Sequence, residues 1–314
     1  MGNMAGMRNL NFDDMHLFAR VAELGSFSAV ARARGVPVSQ VSRAIARIEK
    51  TCNARLVQRS THALTLTPEG ETFLGYCRRM TQTLDDLEGE FASRTGEASG
   101  WVRVAASTVM AEYLLVPSLE GLSRRHPQVR VELKVDDRLV DMVRDGVDIA
   151  IRSGTHTNEN TVMRQIGTHG RRLYATPAYL KAHGTPEHPD DLGRHRLISN
   201  SGATQLNRWP FIIDGQPVVI TADGCWRADS TGTTSQLALQ GLGIARFAML
   251  AAEPLVRRGL LVPVLADFVD EQHVPIHAVT LGGRHRLPKI RACIDYWAEW
   301  FSRERDLVGT TPAG

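Results

Sequence analysis

Between Ser28 and His62 the chain carries seven basic side chains, Arg32, Arg34, Arg43, Arg47, Lys50, Arg55 and Arg59, against one acid, Glu49. That segment of 35 residues has a charge of +6, whereas the whole chain of 314 has only +3. The rest is therefore mildly acidic, and the positive charge is concentrated in one small region. Such a local excess on a helix-turn-helix pattern is what contact with a phosphate backbone requires.

The helical pattern around it is readable. Asp13 and Asp14 precede Met15 to Ala22, and acids favour a helix start. Phe18, Val21 and Ala22 repeat at i, i+3, i+4, and Leu24-Gly25 ends the helix. Ser26 is placed to cap a short second helix, Ser28 to Arg34, which Gly35 stops. A third helix follows Val36-Pro37-Val38 and runs to about Lys50. Its Val41, Ala44, Ile45 and Ile48 form a packing stripe. Ser39, Ser42, Arg43, Ala46, Arg47 and Lys50 fall on the other side, at about 100° per residue. An α-helix with a short, polar, cationic face fits the major groove, where Arg can pair bidentately with guanine. Arg55 to Arg59 and Leu64 to Thr67 read as two strands joined by Ser60-Thr61-His62, a wing whose basic residues could reach sugar-phosphate. The candidate contacts to double-stranded DNA are Ser28, Pro37, Val38, Ser39, Gln40, Ser42, Arg43, Arg47, Lys50, Arg55, Arg59, Thr61 and His62.

These residues carry a resemblance. Phe18, Val21-Ala22-Glu23, Gly25-Ser26-Phe27-Ser28 and Ala31, then Val41-Ser42-Arg43-Ala44-Ile45 and Ile48-Glu49, then Arg55-Leu56-Val57-Gln58-Arg59 and Leu64-Thr65-Leu66-Thr67-Pro68-Glu69-Gly70, are similar to the LysR-type transcriptional regulators. The resemblance implies a winged helix-turn-helix, a long dimerising linker helix, and a sensing domain like that of periplasmic binding proteins. Many members of the family carry Ser-Gln where this chain has Pro37-Val38, and often Arg where it has His62. Asp136 to Val143 with Gly146 to Arg152, and Leu173 to Leu180, also look like segments of that family.

The expected organisation is a winged helix-turn-helix over 11–67, a linker helix over 68–95, a hinge over 96–100 and a regulatory domain over 101–314. Phe73, Tyr76, Cys77, Met80, Leu84, Leu87 and Phe91 give the linker an apolar stripe at spacings of three and four. At 1.5 Å per residue this helix exceeds about 30 Å, and a second copy is its natural mate. The expected assembly is a homodimer or homotetramer, whose two recognition helices would read half-sites about 34 Å apart. Beyond the hinge the order is βαβαβ: a strand at Trp101–Ala106, a helix at Ala111–His126, a strand at Val129–Val135, a helix at Leu139–Asp145 and a strand at Val147–Arg152. That order implies a parallel sheet and an α/β fold. A hairpin over Phe211–Thr221, a helix near Thr231–Gln240, a strand near Gly243–Arg246, a strand at Ile276–Leu281 and a helix from Pro288 to about Arg305 complete the reading. By the resemblance the domain splits into a first subdomain, about 101–170 with 275–314, and a second, about 171–274, with an effector between them.

Sheets of this kind bind ligands at strand ends. The candidate effector-binding residues are Ser107, Thr108, Arg152, Asn200, Ser201, Thr204, Ser230, Thr231, Arg246 and Phe247. Free backbone N–H groups at the helix start after Ser107 and Thr108 favour an anion, and Arg152 suits a carboxylate, so the chemistry suggests a small organic acid. The same Ser, Thr and Asn residues could simply cap helices, and Arg152 could pair with Asp136 or Asp137.

Other function classes fare worse. No GxSxG, HExxH, P-loop or CxxC is present, so no enzyme is indicated. Gly241-Leu242-Gly243-Ile244-Ala245-Arg246 starts like a dinucleotide fingerprint but lacks its last glycine. Four scattered cysteines and loosely grouped His183, His188 and His195 indicate no metal, cofactor or disulfide framework. A redox switch through Cys225 and Cys293, and constitutive DNA binding without effector, are the alternatives. With no apolar run of transmembrane length and no apolar signal core at the N-terminus, the expected location is the cytoplasm, with no membrane partner.

Overall fold

The structure, a computed structural model, describes residues 10–59, 64–92, 98–154, 160–270 and 273–304. The turn Ser60-Thr61-His62 and the segment 93–97 lie outside the described residues, as do the side chains of Arg59 and Phe91. The chain forms two compact units, residues 1–94 with 141–147, and residues 95–140 with 148–314. No helix of the described residues is long and apolar enough to cross a membrane.

The first unit opens with α1 (Phe12–Leu24), whose N-cap Asn11 and Asp14 form a reciprocal capping box. Helix α2 (Phe27–Arg34) is capped by Ser26, and α3 (Val38–Cys52) starts at Pro37. Gly25 and Gly35 end the first two helices at φ of 59° and 64°, a left-handed conformation that only glycine adopts without strain. Val41, Ile45 and Ile48 of α3 are at most 1% exposed and pack with Phe18, Val21, Val30 and Leu56. Burying each such side chain contributes about 1.5–3 kcal/mol. Strands β1 (Val57–Arg59) and β2 (Leu64–Leu66) form the antiparallel hairpin read from the sequence.

Helix α4 (Pro68–Ala92) does not present one continuous stripe. Phe73, Leu74 and Cys77 pack into the helix-turn-helix core, with the Phe73 ring 5.0 Å edge-on from Phe18. Tyr76, Met80, Leu84 and Leu87 stay exposed.

Among the described residues the second unit contains two main sheets, one of five strands and one of three, and two further two-stranded pairs. Strands β3 (Gly100–Ala106), β4 (Val129–Val135), β5 (Ile149–Ser153), β6 (Thr161–His169) and β14 (Val274–Leu281) form a five-stranded sheet in the order β4-β3-β5-β14-β6. The three strands of the βαβαβ reading are parallel as expected, and the sheet they belong to is mixed. β3 is parallel to β4 and β5, but β14 runs antiparallel to β5 and β6. Strand β6 had no sequence signal strong enough to place it. Between β3 and β4 a continuous helical run passes from α5 (Thr108–Met110) through a π-helical turn, Ala111–Leu115, into α6 (Val116–Arg125). It packs with α10 (Pro288–Glu304) against the sheet, and Trp297 Nε1 donates a 3.0 Å hydrogen bond to Ser118 Oγ at full burial. The helix expected at Leu139–Asp145 is a turn. Asp141 Oδ1 accepts from Val143 N and Arg144 N, both at 3.0 Å, and Gly146 at φ 62° ends it at once.

The second sheet begins at β7 (Arg171–Ala175), one residue after β6. It is followed by α7 (Pro177–His183), β8 (Ile198–Asn200), the hairpin of β9 (Arg208–Ile213) and β10 (Gln216–Thr221), β11 (Trp226–Ala228), α8 (Thr231–Leu239), β12 (Ala245–Ala248), α9 (Met249–Arg257) and β13 (Val262–Val264). β7 is central, with β12 and β13 antiparallel on its two sides. β8 pairs in parallel with β11 and bridges to β12 through Leu197 and Ile244.

One carboxylate ties the wing to the third helix. Glu49, 6% exposed, accepts from Leu56 N at 2.9 Å, Val57 N at 3.2 Å and Arg55 Nη1 at 3.2 Å. Replacing Glu49 by Ala leaves two buried backbone donors unpaired, at about 1–3 kcal/mol each. Urea unfolding of Glu49→Ala is expected to give a markedly lower midpoint than wild type; an unchanged midpoint would remove this tie from the account.

Candidate functional site: a basic helix face and an arginine-lined cleft

In the first unit, Val38, Ser39, Gln40, Arg43, Arg47 and Lys50 are all exposed on α3, with Pro37 just ahead of them and Ser42 half-buried. Ser28 and Arg55 are exposed as well. The packing stripe faces inward, as its period requires, so this face is left to solvent. Two of the cations are not free agents. Arg47 Nη2 donates to Asp14 Oδ1, and the Asp14 side chain is only 4% exposed. Arg55 is held by Glu49. Both arginines brace the domain from its surface and stay exposed there, and Arg43, whose Nε donates to Ser39 O at 3.2 Å within its own helix, is the exposed guanidinium nearest the helix start. Thr61 and His62 lie outside the described residues.

In the second unit a cavity of about 60 Å³ lies between the two sheets, lined from one side by Ser107 and Met110 and from the other by Arg171, Asn200, Trp209 and Arg246, among others. Of the ten residues read from the sequence, Ser107, Asn200, Thr231, Arg246 and Phe247 line it, while Thr108, Arg152, Ser201, Thr204 and Ser230 do not. Ser201 and Thr204 are exposed. Arg152 turns to its own subdomain, donating to Arg138 O at 3.4 Å, with burial pushing its pKa down against the nearby Asp136 and Asp137.

The two helix starts expected to take an effector anion are already filled. Asp137 accepts from Thr108 N at 3.0 Å, from Thr231 N, and from Thr231 Oγ1 at 3.0 and 3.1 Å. Beside it Thr108 Oγ1 and Ser230 Oγ are 3.3 Å apart, and Arg138 pairs with Asp229 at 3.3 Å. The physics was as read, an anion at helix N-termini, but the anion is the protein's own.

The residue that sequence reasoning missed is Arg171. Burial, and then the charge of Arg246, push its pKa down to about 10; burial likewise lowers Arg246. Neither arginine forms an ion pair among the described residues. Arg171 Nη2 donates to Ser153 Oγ at 3.1 Å, and Ser153 Oγ lies 2.6 Å from His169 Nε2. His169 Nδ1 is 3.2 Å from Gly170 O, so it carries the proton and Nε2 accepts from Ser153. Burial, reinforced by Arg171, holds the His169 pKa at about 3. The adjacent arginines at 171 and 172 in the sequence were a signal, but nothing local indicated that one of them would face a cleft.

Residues 12–71 match the family of bacterial regulatory helix-turn-helix proteins of the lysR type, and residues 95–302 match the LysR substrate binding domain. The chain belongs to the LysR family of transcriptional regulators. It is 32% identical to the probable HTH-type transcriptional regulator LtrA of Klebsiella pneumoniae, over 93% of this chain and 95% of that one. Among solved structures, full-length AphB, the Vibrio cholerae virulence activator, superposes with a TM-score of 0.63 at 27% identity, covering 92% of this chain and 99% of AphB. CrgA of Neisseria meningitidis gives 0.62 at 27% identity, covering 93% and 99%. This LysR-type protein is accordingly a transcriptional regulator with a helix-turn-helix DNA-binding domain and an effector-binding domain, and not an enzyme.

The state of His169 has a measurable consequence for this regulator. An unfolded chain binds a proton on this residue below about 6.5, whereas the folded one does not until about 3. Its contribution to stability is therefore present above pH 6.5 and is lost as pH falls from 6.5 towards 3, at about 1.4 kcal/mol per pH unit. Denaturant titrations of wild type and His169→Gln across that window are expected to diverge, with the variant less sensitive to acid. Parallel curves would contradict a buried neutral imidazole.

Proposed function

We propose that this regulator acts in the cytoplasm as a homodimer or homotetramer on double-stranded operator DNA, under control of a small organic acid bound between its two regulatory sheets. Helix α3 enters the major groove with Arg43 reading a base. The stretch Pro37-Val38-Ser39-Gln40 meets bases or backbone at the helix start, and Lys50 and the β1–β2 wing contact phosphate. The exposed row Tyr76, Met80, Leu84 and Leu87 on α4 supports pairing with a second copy, since an apolar face of that length is poorly accommodated in water. Effector binding changes the relative stability of two arrangements of the regulatory domains, and so the engagement of half-sites.

The observation that carries the effector reading is the cavity between the sheets, which two arginines and no carboxylate line. An anion is the chemistry that such a lining favours. Control by a Cys225–Cys293 disulfide has less behind it. Cys225 is exposed, but Cys293 is fully buried in the core on α10, and burial pushes its thiol up to about 12. Such a thiol is a poor nucleophile.

Two measurements test this reading. Gel-shift titration against genomic operator fragments, with and without small carboxylic acids, is expected to show a change in affinity or footprint with the acid; identical titrations throughout would remove the effector from the account. Arg43→Ala is expected to lose about 1–3 kcal/mol of operator binding and to relax specificity at one base position. Lys50→Ala should weaken all sequences alike and reduce the salt slope by about one. Undiminished operator binding by Arg43→Ala would move base reading to another face.

A further inference from the structure

Arg171 and Arg246 are close neighbours because of strand register. In the antiparallel pairing of β7 with β12, Arg246 stands opposite Leu173 and Arg171 opposite Ala248. Both arginines therefore leave the same face of the sheet as diagonal neighbours, two register positions apart. Like charges placed so close in a buried setting destabilise each other unless a counter-charge joins them. No Asp or Glu lines the cavity, and neither arginine is ion-paired among the described residues.

The neutral groups are also biased towards donation. Asn200 is 4% exposed. Its Oδ1 accepts from Gly202 N at 2.8 Å and Ala203 N at 2.7 Å, which fixes which end of the amide is oxygen. Its Nδ2 is buried and has no hydrogen-bond partner. An unpaired buried amide N–H₂ costs about 1–3 kcal/mol in a protein, and it calls for an acceptor. Arg171 is aimed by a directed chain in which its Nη2 donates to Ser153 Oγ and that hydroxyl donates to neutral His169. Asp137 already serves the helix starts at Thr108 and Thr231, so those donors do not compete for a ligand at the arginines. Met110, Trp209 and Phe247 close round the same space and limit the size of what enters.

We propose that the effector of this cleft is a compact dianion, a short dicarboxylate or a phosphate-type group, whose two charges are met by Arg171 and Arg246 together and whose oxygen accepts from Asn200 Nδ2. This rests on the reading of the cleft as the effector site and narrows it from an acid to a doubly charged one. The two negative charges neutralise the arginine pair, which a monocarboxylate leaves half-compensated.

The test uses the full-length protein and thermal unfolding at constant ionic strength, with succinate, malonate, inorganic phosphate and the monoanion butyrate as probes. A ligand bound only by the folded state raises Tm. Succinate or malonate, or phosphate in their place, is expected to raise Tm at concentrations where butyrate does not; which of the two kinds succeeds distinguishes a dicarboxylate from a phosphate-type ligand. Arg246→Met is expected to weaken the responding dianion at least about tenfold. Asn200→Asp, which keeps the Oδ1 acceptor and adds a negative charge, should do the same. Each variant is checked first by circular dichroism, and Arg171→Lys, which retains one charge but not the fork geometry, stands in if Arg246→Met does not fold. If butyrate stabilises as strongly as succinate and the variants respond like wild type, the dianion proposal fails while an organic-acid effector survives. If no probe of either charge changes Tm and none alters operator gel shifts, both fail.

Discussion

Asp137 ties the two sides of the regulatory unit together through one carboxylate. It sits after β4, yet its carboxylate is shared between the first turn of α5 on its own side and the first turn of α8 on the other. A charged acceptor at two helix N-termini satisfies donors that each helix would otherwise leave to water, and it does so in the orientation the helix dipoles favour. The Thr108–Ser230 hydroxyl contact and the Arg138–Asp229 pair lie alongside. The Arg138–Asp229 pair is largely exposed and contributes little alone. The backbone N–H bonds to Asp137 are the stronger ties.

That closure gives the remaining cleft its character. With acid consumed at one end, the other end holds two arginines, an amide N–H₂ and aromatic walls. The sheet places the cations, since the β7–β12 register puts both on one face. The Ser153–His169 chain then orients one of them. His169 can do this because burial keeps it neutral, with Nε2 free to accept. The cleft is thus electrostatically unfinished in a way that a small anion completes.

The basic helix face follows a similar economy. Of the positive charge concentrated near the amino end, part is spent on architecture: Arg47 holds buried Asp14 and Arg55 holds buried Glu49. A buried carboxylate needs such a partner, and a surface arginine is a suitable one because its stem lies along the protein while its head stays wet. Arg47 stays exposed on α3 beside Val38, Ser39, Gln40, Arg43 and Lys50, so the same side chain braces the domain and belongs to the basic face.

Local pattern was enough for the helix-turn-helix, because its signals are all within a turn or two of each other: Ser26 at a cap, Gly25 and Gly35 at left-handed ends, Val41-Ile45-Ile48 on one stripe. The β9–β10 hairpin was legible for the same reason, with Asp214-Gly215 supplying the turn. The mixed sheet was not, since β14 joins β5 and β6 from more than a hundred residues away and its direction is set by where the intervening second sheet returns the chain. Half of the residues read from strand and helix ends, Ser107, Asn200, Thr231, Arg246 and Phe247, do line the cleft. Arg171 was not, because its meaning depends on β12, some 75 residues later. The sequence alone determined the fold family, the cationic helix and the separation into a DNA-binding and a regulatory part, through periodicity, caps and charge. Tertiary structure alone decided which arginines are free, which anion fills the helix starts and where the uncompensated charge lies, because charge pairing depends on distances between residues that the chain keeps far apart.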